Sequence, residues 1–410
     1  MSIMKLLFRR KRLGLLKLVL SLSLFFASLL LFHTLKFPED TTGSYTRHPG
    51  CSEGGFFWKK CSKPTLTSHN HVTVPSARGA HYNRSAPFWD AQVLNCSEDA
   101  AVRTTDWFQR LDPRFHQFVL HRHCRYFPML INHPEKCTAT VGEVHLLIVV
   151  KSIIEQHDRR EAVRKTWGRE YTTEGKSIKT LFLLGSPSVG KDTKNLQKLI
   201  EYEDQIYKDI LQWDFMDTFL NLTLKEVNFL KWFDIYCPGV QFIFKGDDDV
   251  FVNTNNLLDL ISFKVEEHKE TTLFLGHTIY KSFPVRNKQS KYYIPKELFD
   301  KPYPPYVGGG GFLMSSELAR RLFVVSEDLE LYPIDDVFLG MCLQRLHLNP
   351  ETHSGFRTFG ITMHRVSPMN SEPCFYKNLI LVHKLSTQEL LKMWSLVHNE
   401  ELVCAKRASF

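Results

Sequence analysis

The sequence predicts an α/β domain with a mainly parallel central sheet, preceded by one transmembrane helix and a flexible stem. Three observations predict it. An uncharged apolar run covers Leu18 to Leu35, a polar tract with Pro and Gly follows, and from Val144 short apolar runs alternate with helical patterns. The chain has 410 residues, 43% hydrophobic, 23% charged and 13% aromatic. These figures exclude a disordered chain, a collagen-like fibre and a multi-span membrane protein. The length suits one large domain or two modest ones.

The formal net charge is +8, which would ordinarily raise the question of nucleic acid. The excess is local, however. Residues 1–37 hold Lys5, Arg9, Arg10, Lys11, Arg12, Lys17 and Lys36 and no acid, and the rest of the chain has 45 basic against 44 acidic residues. No nucleic-acid partner is expected. Residues 1–17 read as a cytosolic tail. Residues 18–35, LVLSLSLFFASLLLFHTL, would reach roughly 27 Å as a helix, enough for the thinner membranes of the early secretory pathway. No small-x-small cleavage site follows Phe32, so an uncleaved signal anchor is expected, with positive charge kept inside and everything after Phe37 lumenal.

Residues 36–86 are mostly Gly, Ser, Thr, Pro, His and Asn, apart from Phe56 to Trp58, and read as stem. Residues 87–140, rich in aromatics and His, read as an extension packed on the domain at 141–410. All nine cysteines lie after residue 50, without a CxxC pair. In an oxidising lumen most should pair, and the odd number leaves at least one free or intermolecular. Asn83, Asn95 and Asn221 head N-glycosylation sequons.

Val144 to Val150 (VHLLIVV), Ile178 to Leu184 and Val240 to Phe244 read as buried strands. Arg159 to Trp167 reads as a short helix stopped at Gly168, and Asp192 to Ile210 as a longer one through Leu196, Leu199, Ile200, Ile206 and Ile210. Leu224, Val227 and Leu230 continue the pattern in the next helix. Near the end, Ser386-Thr387-Gln388-Glu389 has the capping-box form and starts a terminal helix.

In an open α/β sheet, ligands bind beyond the carboxyl ends of the strands. There, after VQFIF, stand Asp247, Asp248 and Asp249. Three adjacent carboxylates repel one another, and a hard divalent ion such as Mg²⁺ or Mn²⁺ would relieve this. A solvated surface triplet is the plainer alternative. Asp335 and Asp336 follow Pro333; they either cap a helix or include a general base for a hydroxyl nucleophile. Gly308 to Gly311 suit a backbone that approaches a sugar ring closely, or else a hinge or tight turn. Arg159, Arg160 and Arg164 could meet phosphates or form a solvated face. His383 could be a further metal ligand or a structural histidine.

As a set, REAVRKTWG (160–168), FKGDDDVFVN (244–253), YPPYVGGGGFLMSS (303–316), IDDVFLG (334–340) and LVHKL (381–385) resemble the β1,3-glycosyltransferases of glycosyltransferase family 31. The resemblance covers roughly residues 105–400. HRHCRYFPMLINHPEKC (121–137), NLTLKEVNFLKWFDIYCP (221–238) and YPIDDVFLGMCL (332–343) are most similar to the family's β1,3-N-acetylglucosaminyltransferases. The resemblance implies a GT-A fold, a UDP-GlcNAc donor, Mn²⁺ with Mg²⁺ as substitute, and inversion at the anomeric carbon. It also implies a galactose-terminated acceptor of the N-acetyllactosamine or keratan type and residence in the Golgi membrane, with a homo- or hetero-oligomer left open.

By the same resemblance Asp249, Asp247 and His383 would hold the metal. Asp247, Asp248, Arg159, Arg160, Arg164, Gly309 and Gly310 would meet the donor, with Asp335 and Trp167 beside the site and Asp336 as the base. Position 335 is Asp where many relatives have Glu. The rival readings are a β1,3-galactosyltransferase, a metal-dependent nucleotide hydrolase and a catalytically silent lectin or assembly partner.

Overall fold

The computed structural model describes residues 88–138, 143–187, 192–362 and 367–404. The expected tail, anchor and stem, with Asn83, lie outside the described residues, as do Cys51 and Cys61. Among the described residues no helix is long and apolar enough to cross a membrane.

Twelve strands and eleven α-helices are described. The strands are β1 (Met129–Ile131), β2 (Val144–Lys151), β3 (Tyr171–Thr173), β4 (Lys176–Ser186), β5 (Ile210–Met216), β6 (Phe242–Asp247), β7 (Val250–Val252), β8 (Phe274–Ile279), β9 (Tyr306–Ser315), β10 (Glu351–Thr352), β11 (Phe356–Arg357) and β12 (Leu381–His383). The helices are α1 (Ala100–Arg103), α2 (Asp106–Arg110), α3 (His116–His121), α4 (His157–Lys165), α5 (Thr193–Tyr207), α6 (Leu222–Tyr236), α7 (Thr254–Glu266), α8 (Ser316–Ser326), α9 (Asp335–Arg345), α10 (Pro373–Asn378) and α11 (Thr387–Val397).

The main sheet runs β1-β5-β4-β2-β6-β9-β8-β10, with β3 on β4, and a small sheet runs β11-β12-β7. Strands β4, β2 and β6 are parallel, as the buried apolar runs predict, and β5 adds to β4 in the same direction. The expected mainly parallel sheet is corrected to a mixed one. β1 joins β5, β3 joins β4, and β9 joins both β6 and β8, all antiparallel. The parallel strands have cores on both faces. Leu147, Val149, Leu181 and Leu183 face one cluster with α6, α8 and α9. Leu146, Ile148, Val150, Phe182 and Leu184 face the other with α4 and α11.

Three local differences have physical causes. The helix expected to reach Ile210 ends at Tyr207, where Lys208 adopts a left-handed φ of 52°, and Ile210–Met216 becomes the fourth parallel strand. Within that helix Ile200 is buried, but Leu199 and Ile206 are exposed, because Glu203 and Asp204 take the inward places. The four glycines form part of strand β9 rather than a turn. The capping box at Ser386 and Glu389 is present.

Aromatic residues of the segment 88–138, among them Trp89, Phe108 and Phe115, join the first of the two cores. The Trp89 Nε1–H donates to the Phe127 carbonyl at 2.9 Å, its backbone N–H donates to the Tyr236 hydroxyl at 2.8 Å, and β1 adds to the sheet edge. Disulfides join Cys96 to Cys124, Cys137 to Cys237 and Cys374 to Cys404, while Cys342 is free and buried. Of the described sequon asparagines, Asn95 is exposed and Asn221 donates to the Met216 carbonyl at 2.9 Å.

Candidate active site

In the parallel register β2 ends on Lys151 beside Asp247, the last residue of β6. The chain then turns through Asp248 and Asp249 into β7. Strand β12 pairs antiparallel with β7 and sets His383 opposite Val250. His383 Nε2 lies 3.1 Å from Asp249 Oδ1, and its Nδ1–H donates to the Thr358 carbonyl at 2.8 Å. With Nδ1 engaged, Nε2 is the nitrogen left for the cleft. Ligand atoms of Asp247, Asp249 and His383 lie within 4.8 Å of one another. Two carboxylates and an imidazole fit a divalent cation. Burial lowers the His383 pKa, but the hydrogen bond and charge of Asp249 outweigh it and the net shift is upward.

Asp248 does not face this set. Ser152 Oγ–H donates to its Oδ2 at 2.7 Å and Arg159 to its Oδ1 at 2.9 Å. Burial is the main reason its pKa rises. Arg159 also lies 3.5 Å from Asp249, so it is the one arginine of the three that α4 brings to the cleft.

The structure does not bring Arg160 and Arg164 there. Arg160 is fully buried and donates to both oxygens of Glu203, each at 2.8 Å. Arg164 donates to Glu203 at 2.7 Å and to Asp209 at 2.8 and 2.9 Å. The two acids satisfy guanidinium groups that would otherwise be buried unpaired. Burial raises the Glu203 pKa, but Arg160, His157 and Arg164 outweigh it and hold the group at about 2. Because this folded value lies below the ordinary 4.5, the stabilisation is complete above 4.5 and disappears as pH falls towards 2. Melting temperature followed against pH should therefore drop less steeply over this window in Glu203→Gln than in wild type. Equal slopes would remove Glu203 as a source of acid sensitivity.

Trp167 is buried with its ring edge-on to Phe244 of β6, centroids 6.0 Å apart. It supports the strand that ends on Asp247 and does not itself enter the cleft.

Asp335 and Asp336 open α9 and diverge at once. Asp335 is buried and accepts from Lys151 Nζ at 2.8 Å, and Lys151 lies 3.1 Å from Asp247. Burial raises the Asp335 pKa, but the Lys151 charge and hydrogen bond outweigh it, and the carboxyl is held below its ordinary value. Half-buried Asp336 accepts the Gly309 N–H at 3.1 Å and the Val337 N–H at 2.8 Å. Burial, then the Asp335 charge, raises its pKa to about 7. One acid is thus fixed as an ion, while its neighbour can exchange a proton near neutrality.

Of the two glycines expected to meet the donor, Gly309 lies against Asp336 and Lys151, and Gly310 lies against His383. Lys151, Ser152 and Thr358 are the residues that sequence reasoning missed. For Lys151 a signal existed: a lone cation closing an eight-residue buried strand needs anions at the carboxyl edge.

A half-buried carboxylate poised near neutrality thus stands beside two carboxylates and an imidazole that can hold a divalent cation, an arrangement suited to a group-transfer enzyme. A family model described as galactosyltransferase matches residues 158–354. The chain is 52% identical over 353 residues to UDP-GlcNAc:betaGal beta-1,3-N-acetylglucosaminyltransferase 7 of Rattus norvegicus, covering 85% of this chain and 84% of the relative. It is 41% identical over 310 residues to N-acetyllactosaminide beta-1,3-N-acetylglucosaminyltransferase 2 of Homo sapiens, covering 75% and 76%. It is 46% identical over 300 residues to UDP-GlcNAc:betaGal beta-1,3-N-acetylglucosaminyltransferase 9 of Homo sapiens, covering 69% and 74%. A solved 4-diphosphocytidyl-2C-methyl-D-erythritol synthase from Anaerococcus prevotii aligns at TM-score 0.28 and 12% identity over 51% of this chain and 85% of its own, too slight a likeness to define the fold. The chain belongs to the galactosyltransferase family, glycosyltransferase family 31, and is a glycosyltransferase.

Proposed function

We propose that this chain transfers GlcNAc from UDP-GlcNAc, in β1,3 linkage and with inversion, to a terminal β-galactose of N-acetyllactosamine or keratan-type glycans. Its place is the Golgi membrane, as a single-pass type II protein with a GT-A catalytic domain in the lumen and Mn²⁺ as its cation. The observation that carries the reading is the division of labour between Asp335 and Asp336 beside Asp247, Asp249 and His383. The donor and the galactose acceptor are taken from the relatives called UDP-GlcNAc:betaGal beta-1,3-N-acetylglucosaminyltransferases.

Asp247, Asp249 and His383 would hold a divalent cation, which would supply charge neutralisation for the departing UDP. Asp336 takes the proton from the acceptor 3-hydroxyl while that oxygen bonds to the anomeric carbon and the bond to UDP breaks. The Gly309 and Val337 N–H groups hold the carboxylate at that point. A single displacement with one base inverts the centre and leaves no covalent sugar on the protein.

The test is to incubate the full-length chain with UDP-GlcNAc, UDP-Gal and other UDP-sugars, with and without galactose-terminated acceptors, and determine the linkage formed. The expected result is β1,3-linked GlcNAc only when both acceptor and Mn²⁺ are present. A galactose product would move the donor assignment to UDP-Gal. UDP release at full rate without acceptor would make the chain a nucleotide hydrolase, and binding without transfer would make it a lectin-like partner.

A further inference from the structure

We infer that the glycines of β9 serve to seat His383. In this account Gly308 and Gly310, with the turn from Thr358 to Gly360, form a clamp that fixes the imidazole with Nε2 towards Asp249. The inference rests on the proposal that Asp247, Asp249 and His383 are cation ligands.

The clamp has four contacts. The Thr358 carbonyl accepts the Nδ1–H at 2.8 Å, which fixes both the tautomer and the plane of the ring. Thr358 is itself buried, and a Cβ added to Gly308 would lie 2.8 Å from its Cγ2 methyl. Only a residue without Cβ lets β9 pass this close to Thr358. A Cβ at Gly310 would lie 3.3 Å from the His383 Cγ and Nδ1, so the strand also forms a wall for the ring. On the far side Gly360 has φ +84°, and a Cβ there would come within 3.2 Å of the His383 carbonyl oxygen.

A sugar-facing role for the run would require these glycines to open onto the cleft. The positions of the missing Cβ atoms at 308 and 310 are instead next to protein atoms. Thr358 and Gly308 are thus positioning residues that act through His383, in the manner of the outer-shell groups that orient metal-binding imidazoles.

The measurement is Mn²⁺ affinity of the full-length chain, read from free Mn²⁺ by electron paramagnetic resonance, with thermal melting alongside. Gly308→Ala forces Thr358 to move and should weaken Mn²⁺ binding about 10- to 100-fold. Thr358→Ser keeps the carbonyl and removes the Cγ2 methyl. Combined with Gly308→Ala it should restore affinity to within about threefold of wild type. Gly310→Ala, whose closest contact is 3.3 Å rather than 2.8 Å, should fold readily and weaken binding by a smaller factor.

Wild-type affinity in both glycine variants would overturn the clamp. So would a weakened Gly308→Ala that Thr358→Ser fails to rescue. His383→Ala separates the two levels of the argument and should lose at least as much affinity as Gly308→Ala. Unchanged Mn²⁺ binding in His383→Ala would overturn the ligand assignment itself, whereas loss in His383→Ala with none in the glycine variants would overturn only the clamp.

Discussion

Asp336→Asn is expected to lower kcat by about 10²- to 10⁴-fold while UDP and metal binding persist. Asparagine keeps an oxygen for one of the two backbone N–H groups but cannot take a proton. The same carboxylate predicts the pH dependence. Burial and the Asp335 charge place its pKa at about 7, and a base works only when ionised, so wild-type kcat/KM should rise with pH through this value.

A stability readout accompanies it. The folded pKa exceeds the ordinary 3.8, so the ionised group costs stability above 3.8, and the cost is complete beyond about 7. Asp336→Asn should therefore melt at or above the wild-type temperature at pH 8, with the difference vanishing towards pH 4. Wild-type turnover in Asp336→Asn would remove it as the base. A flat kcat/KM from about pH 5.5 to 8 would remove the pKa assignment.

How much of this was legible beforehand depended on whether a feature is local. The buried strand at Val144, the helix after Pro333 and the capping box at Ser386 follow from spacing and composition within a few residues. The acidic triplet stands out in the sequence because it follows an apolar run, and that run is β6, which ends on Asp247. What one segment cannot express is which of several like residues turns outward. Arg159, Arg160 and Arg164 are equivalent on paper, but Glu203 and Asp209, more than 35 residues later, hold two of them inside. Asp247 and Asp249 face His383 while Asp248 faces Ser152, because a turn separates neighbouring carboxylates. On local grounds the glycine run suits a ligand seat or a turn. Its place in a strand depends on antiparallel pairing with β6 and β8, which adjacent sequence does not encode.

Lys151→Met should have the largest effect on stability, and the reason lies in what it leaves behind. Lys151 is buried between Asp335 at 2.8 Å and Asp247 at 3.1 Å. Methionine fills similar space but leaves the Asp335 carboxylate buried without its nearest cation, which typically costs about 3–5 kcal/mol. Denaturant titration measures this directly, and a loss below about 1 kcal/mol would show that Lys151 is not the partner Asp335 depends on.

The pH dependence separates an unpaired charge from simple loss of packing. Without Lys151, burial should push the Asp335 pKa upward. The penalty for its ionised form would then be absent below the unfolded value of about 4 and would grow as pH rises. A packing defect would be the same at every pH. Adding Asp335→Asn removes the stranded charge, so the double variant should recover most of the stability at neutral pH and lose the pH dependence. Turnover should not recover with it. Lys151 also ties Asp247 at the end of β6 to the first turn of α9, and that turn holds Asp336 beside the proposed cation ligands. A double variant that regained both stability and wild-type turnover would reduce Lys151 to a counter-ion.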